Sequence, residues 1–288
     1  MVAVALLGWL ALDWLRFGAL LRLLDFRLRP ALGLQLTCAS YFVSTLTPSA
    51  ELSVPTMAWM LKREGLDAAQ AAGAALVKSL YMTLWVCAIG FGSLFWLGGA
   101  VLPPEVARKV TLACLGLVVP FTLFAFALLF PQPMQRWAAR HQGPGRWQQI
   151  AQGLARVASA VSALGRSRNW LHLGCHATAV ASILLYVALG RFLAAALGLD
   201  LSWARALTVF SNGLVVAYLA PVPGSIGVTE LATAYLIDPA VPGDALAVAV
   251  VLRSICWYGP AAAGGAVLWR WAWKPAVVAA AKPAVNDG

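Results

Sequence analysis

Seven ionisable side chains stand inside stretches that are otherwise apolar: Asp13, Arg16, Glu51, Lys78, Arg191, Glu230 and Arg253. A charge at the centre of a bilayer costs at least ~2.5 kcal/mol on insertion scales, so such residues pair with one another or face a water-filled cavity. Two pairs are expected, Glu51 with Lys78 and Glu230 with Arg253. Each would join a proline-broken segment to the apolar helix that follows it. Asp13 and Arg16 are three residues apart and can pair on one helix face. Arg16 and Arg191 also lie near helix ends, where a long side chain can carry its charge out to the interface. The set holds four cations against three anions, an excess suited to an anionic ligand. Buried ion pairs that merely lock helices together would use the same residues.

Two short motifs accompany these charges. "TPSAE" (47–51) and "PGSIGVTE" (223–230) each place a proline and small residues at what reads as the start of a helix. Proline suits the first helical turn, and Ser49 or Ser225 can cap free backbone N–H groups there. A helix N-terminus carries partial positive charge and exposed donors, and it binds phosphate. Pro48 and Ser49 in one tip, with Pro223, Gly224, Ser225 and Gly227 in the other, would then make a phosphate-sized site beside Lys78 and Arg253. His172 and His176 are four apart, but no carboxylate or cysteine stands at matching spacing, so neither a metal nor another cofactor is expected. No nucleotide-binding GxxxxGK[ST] motif is present.

The elements that must position these groups are apolar helices. Hydrophobic residues make up 61% of the 288 residues and charged ones 11%, with a mean hydropathy of +0.78. Soluble domains carry roughly a quarter charged residues. Apolar runs at 2–12, 110–130, 169–198 and 244–269 recur along the chain, several beyond the ~20 residues a span needs. Alternating barrel strands are absent. The net charge of +10 lies mainly in short loops beside apolar segments, which fits membrane topology and not nucleic-acid binding. The five cysteines all fall in apolar stretches without paired spacing. The N-terminus reads as a first span, not as a removed signal.

Sliding the sequence against itself by 175 positions brings "RFGALLRLLDFRLRPAL" (16–32) onto "RFLAAALGLDLSWARAL" (191–207). In the same register Pro48 falls on Pro223, Lys78 on Arg253, Ser79 on Ser254 and Gly90 on Gly265. An internal duplication follows. Each unit predicts a spanning helix, a segment broken at a proline and a longer spanning helix: 2–23, 31–63 and 68–98, then 169–197, 205–237 and 244–272. The arms of the broken segments are too short to cross ~30 Å at 1.5 Å per residue, so each segment is expected to be a re-entrant hairpin. A further span (106–130) and a polar stretch (132–168) lie between the units. In that stretch Trp147, Ile150, Leu154, Val157, Val161 and Leu164 form one face of an amphipathic helix. It could lie on the cytosolic leaflet or pack against the bundle.

With that stretch in the cytosol, fourteen basic residues fall inside: Arg22, Arg27, Arg29, Lys62, Arg63, Arg136, Arg140, Arg146, Arg156, Arg166, Arg168, Arg270, Lys274 and Lys282. Only Arg108, Lys109 and Arg205 fall outside. The positive-inside rule then predicts an inner-membrane protein with its N-terminus outside and its C-terminus cytosolic. Three crossings separate the two units, which makes them inverted. The expected fold is an all-α integral membrane protein, a polytopic helical bundle of two inverted repeats, each with a re-entrant broken-helix hairpin. The expected divisions of this single membrane domain are 1–98, 99–168, 169–272 and a cytosolic tail, 273–288.

The motif "APVPGSIGVTELA" (220–232) resembles the P-x-PGGLGV-x-E signature of the lysylphosphatidylglycerol synthase transmembrane-region family, whose members include flippase-like membrane domains. "LTPSAELSVPTMAWMLKREG" (46–65) resembles that family's first motif. Pro221, Pro223, Gly224, Gly227, Val228 and Glu230 match the second signature, with Ser225 replacing a glycine. Pro48, Pro55, Leu61, Lys62, Arg63 and Gly65 match the first. Ser53, Val54 and Met57 depart from its usual glycine, glutamate and arginine, and Glu51 could stand in for the missing carboxylate. Lys78 replaces a usual arginine, and Tyr81 a position often acidic. The resemblance implies lipid translocation or the handling of a lipid carrier, with a phospholipid or polyprenyl phosphate as partner. The leading expectation is a flippase for a phosphate-bearing lipid, using Glu51, Lys78, Glu230 and Arg253. The alternatives are a membrane transferase acting on a lipid phosphate, with Glu51 or Glu230 as general base, and a scaffold that transports nothing.

Overall fold

The computed structural model describes residues 2–47, 53–105, 146–167, 170–220 and 222–273, together with residues 108, 109, 111, 112, 115, 116, 119, 132 and 136. Among these residues the regular structure is helical. The first half comprises α1 (Val2–Arg22), α2 (Pro30–Leu46), α3 (Ser53–Arg63) and α4 (Ala68–Val101). α5 (Arg146–Arg166) follows. The second half comprises α6 (Leu171–Ala196), α7 (Trp203–Leu219), α8 (Val228–Ile237), α9 (Gly243–Arg253), a π-helical turn (Ser254–Tyr258) and α10 (Gly259–Trp273). The span expected at 106–130 falls mainly outside the described residues, as does the tail.

Among the described residues four stretches are long and apolar enough to cross a membrane: Val4–Arg22, Ala68–Leu97, Leu171–Ala196 and Gly243–Trp273. The helices that follow Val4–Arg22 and Leu171–Ala196 are short. α2 and α7 have 17 residues each, α3 has 11 and α8 has 10. At 1.5 Å per residue the longest of these reaches about 25 Å, less than the hydrocarbon thickness of roughly 30 Å.

The packing is reciprocal between the halves. α1 packs on α2 and α4, α2 on α3, and α3 on α4; likewise α6 packs on α7 and α9, α7 on α8, and α8 on α9. Across the halves α1 meets α6, α2 meets α10, and α7 meets α4. Glycines bring the crossing helices close, as small residues do where lipid offers no hydrophobic drive for helix association. A Cβ on Gly264 of α10 would lie 2.0 Å from the Cys38 carbonyl oxygen of α2, and one on Gly90 of α4 would lie 2.6 Å from Val215 Cγ2 of α7. At the α4–α7 contact the Asn212 amide donates to the Gly90 carbonyl at 3.1 Å, satisfying a polar group that neither lipid nor core would tolerate alone.

α5 packs on α4. Ala151, Ala158, Val161 and Leu164 are buried, whereas Ile150 and Leu154 are nearly half exposed. The C-terminal half of its apolar face therefore belongs to the bundle, which favours docking over a wholly interfacial helix. The π turn also has a local cause. Pro260 lacks the N–H that its turn requires and crowds the carbonyl four residues before it. One wider turn just upstream accommodates the ring, with Gly259 N–H bonded to the Ser254 carbonyl.

Candidate functional site

In the first half one carboxylate ties three helices together. Asp13 and Arg16 share a face of α1, and Arg16 Nη2 lies 2.5 Å from Asp13 Oδ1. Asp13 Oδ2 also accepts hydrogen bonds from Thr37 Oγ1 of α2 and Lys78 Nζ of α4, both at 2.7 Å. All three charged residues are buried, with exposures of 4–7%. Two cations face one anion, so the cluster carries a formal charge of +1. Arg16 Nη1 lies 3.2 Å from Met82 Sδ, and the buried Arg16 Nε has no hydrogen-bond partner. The Lys78 ammonium sits 5.1 Å from the Phe17 ring centroid.

These groups open into a cavity of about 80 Å³. Its wall is rich in hydroxyls: Ser40, Tyr41 and Ser44 from α2, Ser53 at the start of α3, Ser79 from α4 and Tyr218 from α7. Met57, Met82 and Trp257 supply the apolar part. At roughly 30 Å³ per water, the space suits two or three waters or one compact oxyanion.

The second half builds a different cluster. After α7 the chain turns through residues 220–227, where Gly224, Ser225 and Gly227 have φ of 56°, 54° and 78°. Gly224 is confined as well as left-handed, since a Cβ there would lie 3.0 Å from the Thr45 backbone. Its N–H donates to the Ser44 carbonyl at 3.1 Å, so this turn rests on the end of α2. Arg253 closes α9, and its Nη2 donates to the Gly224 carbonyl at 2.6 Å. Its Nε reaches Glu230 Oε1 at 3.4 Å, and Tyr258 OH donates to the same oxygen at 2.5 Å. The guanidinium lies over Trp257, 4.7 Å from the ring centroid. Trp257 is thus a shared wall, with Arg253 on one side and the cavity on the other. Its Nε1 donates to Thr45 Oγ1 at 3.2 Å, and it meets Tyr41 edge-on at 4.7 Å.

Several expectations hold and several change. Glu230 and Arg253 pair as their spacing suggests, and so do Asp13 and Arg16. Lys78 bonds Asp13; Glu51, Pro48 and Ser49 lie outside the described residues. Arg16 does not reach for an interface, because Asp13 holds it in the core at 4% exposure. Arg191 lies five residues before the end of α6, donating to the Leu201 carbonyl at 2.9 Å and stacking over Trp203. Ser225 does not cap a helix. Its hydroxyl donates to the Ala217 carbonyl at 2.7 Å, while α8 begins at Val228 with Gly227 at its cap. Pro223 accordingly lies in the turn and not in a first helical turn. His172 and His176 line an α4–α6 seam, bonded to Tyr81 OH and Trp85 Nε1 at 2.5 and 2.9 Å.

The cavity's hydroxyls and its aromatic wall were not singled out from sequence. The available signal was the spacing of Thr37, Ser40 and Ser44, three and four apart on one face of an apolar helix. "RSICWYGP" (253–260) was the other, with two aromatics four and five residues after an intramembrane arginine.

No curated protein and no solved structure matches the sequence. The family described as the lysylphosphatidylglycerol synthase TM region matches residues 1–264, nearly the whole chain. With four membrane-length apolar stretches and that match, the chain is a multi-pass membrane protein with a lipid-related function, and it belongs to the lysylphosphatidylglycerol synthase TM-region family.

Proposed function

We propose that this protein is a flippase-like transporter that moves a phosphate-bearing lipid between the leaflets of the inner membrane. The observation that carries the proposal is the partly open, hydroxyl-lined cavity whose buried charged residues sum to a formal +1, beside the turn at 220–227. Buried cations in excess are costly in a membrane and call for an anion. Lys78 and Arg16, with Ser40, Ser44 and Tyr218, can surround a phosphate while the acyl chains stay outside a space of about 80 Å³. Arg253 lies behind Trp257 and receives the phosphate in the second half of the cycle. Glu51, Pro48 and Ser49 belong to the first motif and are assigned to the same site from sequence.

The reciprocal packing of α1–α4 against α6–α10 supports two inverted repeats, with re-entrant arms formed by the short pairs α2–α3 and α7–α8. In this arrangement the N-terminus is external and the C-terminus cytosolic. A phospholipid headgroup and a polyprenyl phosphate present the same phosphate chemistry. The test is lipid movement in proteoliposomes, run once with fluorescent phosphatidylglycerol and once with a polyprenyl phosphate. Faster movement of either lipid, lost in Lys78→Ala and Arg253→Ala proteins that still melt cooperatively, is the expected result. Wild-type rates in both variants would remove these residues from the site.

A further inference from the structure

The two carboxylate oxygens of Glu230 are unlike. Oε1 accepts from Tyr258 OH and Arg253 Nε at 2.5 and 3.4 Å. Oε2, in a residue only 5% exposed, is buried without a hydrogen-bond partner. An ionised carboxylate oxygen in that position is unfavourable unless a cation attends it. Arg253 provides only part of that attendance. Its shorter contact is to the Gly224 carbonyl, 2.6 Å against 3.4 Å to Glu230, and Trp257 holds its plane. An arriving phosphate competes for the same guanidinium, since planar N–H donors suit both anions. It also brings a second negative charge next to the first.

We infer that Glu230 is a proton site coupled to anion binding: Oε2 takes up one proton when a phosphate-bearing lipid engages Arg253, and lipid and proton cross together. This rests on the proposed phosphate site. The proton comes from bulk water through its buffer, no bond of the lipid forms or breaks, and the added proton offsets the added negative charge. The charged and titratable groups around Glu230 are Arg253 at the end of α9 and Tyr258 in the π turn, with Tyr186 of α6 within electrostatic reach. Tyr218 of α7 and Cys256 of the π turn stand in the same relation to Arg253.

Titration calorimetry of the full chain in detergent tests this. The probe is dihexanoyl phosphatidylglycerol, a phosphodiester that does not itself titrate near neutrality. Binding heats are measured in buffers of different ionisation enthalpy, whose slope gives the protons taken up per lipid bound. Uptake of about one proton by wild type, and none per lipid bound in Glu230→Gln, is expected. Lipid binding without proton uptake overturns the coupling and leaves the phosphate site standing. Absence of binding by wild type overturns both. Undiminished uptake in Glu230→Gln removes Glu230 from the role. Binding that needs sodium and takes up no proton gives the position to a metal cation instead. Should Glu230→Gln not fold, Tyr258→Phe serves. Losing the Oε1 donor changes the pH profile of proton uptake, and an unmoved profile counts against Glu230.

Discussion

Lys78 and Arg253 stand 175 residues apart, in register in the sequence's match to itself, yet the two halves surround them differently. Lys78 takes its carboxylate from the first helix, Asp13 on α1, and faces a cavity of about 80 Å³. Arg253 takes its carboxylate from a short helix, Glu230 on α8, and is packed against a turn carbonyl and Trp257. Neither carboxylate has a counterpart, since Asp13 aligns with Ala188 and Glu230 with Pro55. Each half places its cation on a late helix and takes the anion from a different element. The chemistry follows from that choice. The first cluster has a surplus positive charge and space, which suits the proposed binding of an anion. The second is formally neutral, tightly packed and holds one unpartnered oxygen, which suits the proposed coupling role.

The sharpest way to break this contrast is to remove the anion of the first cluster. Asp13→Ala leaves Arg16 and Lys78 as uncompensated buried cations and should cost about 3–5 kcal/mol, read as loss of the folded fraction in a detergent melt. Survival at wild-type stability would mean that the cavity is wetter than its burial indicates. Arg253→Lys is next. A lysine cannot reach the Gly224 carbonyl and Glu230 together in the guanidinium geometry, and loss of a charge-assisted bond costs roughly 1.5–3 kcal/mol. Lys78→Arg keeps the charge in the roomier cluster, so its melting should change less than that of Arg253→Lys. Equal effects would erase the distinction between an open and a packed site.

The glycine crossings give a comparison of similar size. Gly264→Ala drives a Cβ to 2.0 Å from a backbone oxygen of α2, whereas Gly90→Ala meets only a Val215 methyl at 2.6 Å. Overpacking costs roughly 1–3 kcal/mol, and Gly264→Ala should lie at the upper end, Gly90→Ala at the lower. Thermal melts of the two proteins give the order directly. The smallest effect belongs to the shared wall. Trp257→Phe loses one hydrogen bond to Thr45 and the better cation–π face for Arg253, about 0.5–1 kcal/mol. It should nonetheless slow lipid movement more than that small loss of stability accounts for, because the wall joins the two clusters.

Much of the scaffold was legible because bilayer physics writes it into composition. Long apolar stretches, prolines at 48 and 223 and the 175-residue register bring the outer bounds of the helical segments within about three residues of those expected, although the π turn that divides the final segment was not foreseen. The Glu230–Arg253 pair was legible too, being short-range within one half. Asp13–Lys78 was not, because it joins α1 to α4 across 65 residues and analogy with the second half pointed to Glu51. The turn at 220–227 defeated the helix-start reading of Ser225. Three left-handed residues in four positions need hydrogen bonds to neighbouring backbone, and Ser225 supplies one to Ala217 instead of capping α8. The hydroxyl lining of the cavity was hidden for another reason. Serines and threonines in apolar helices commonly bond their own helix carbonyls, and only tertiary packing shows which ones face a shared space.

The central claim is that the surplus positive charge of the first cluster binds a lipid phosphate. Native mass spectrometry of the purified protein, with identification of co-purifying lipids, tests it most directly when wild type is set beside Lys78→Ala. Wild type is expected to retain a distinct phosphate-bearing lipid, and the folded variant to lose it. Identical bulk lipids in equal amounts on both proteins would contradict the claim and leave Asp13, Arg16 and Lys78 as a structural ion cluster.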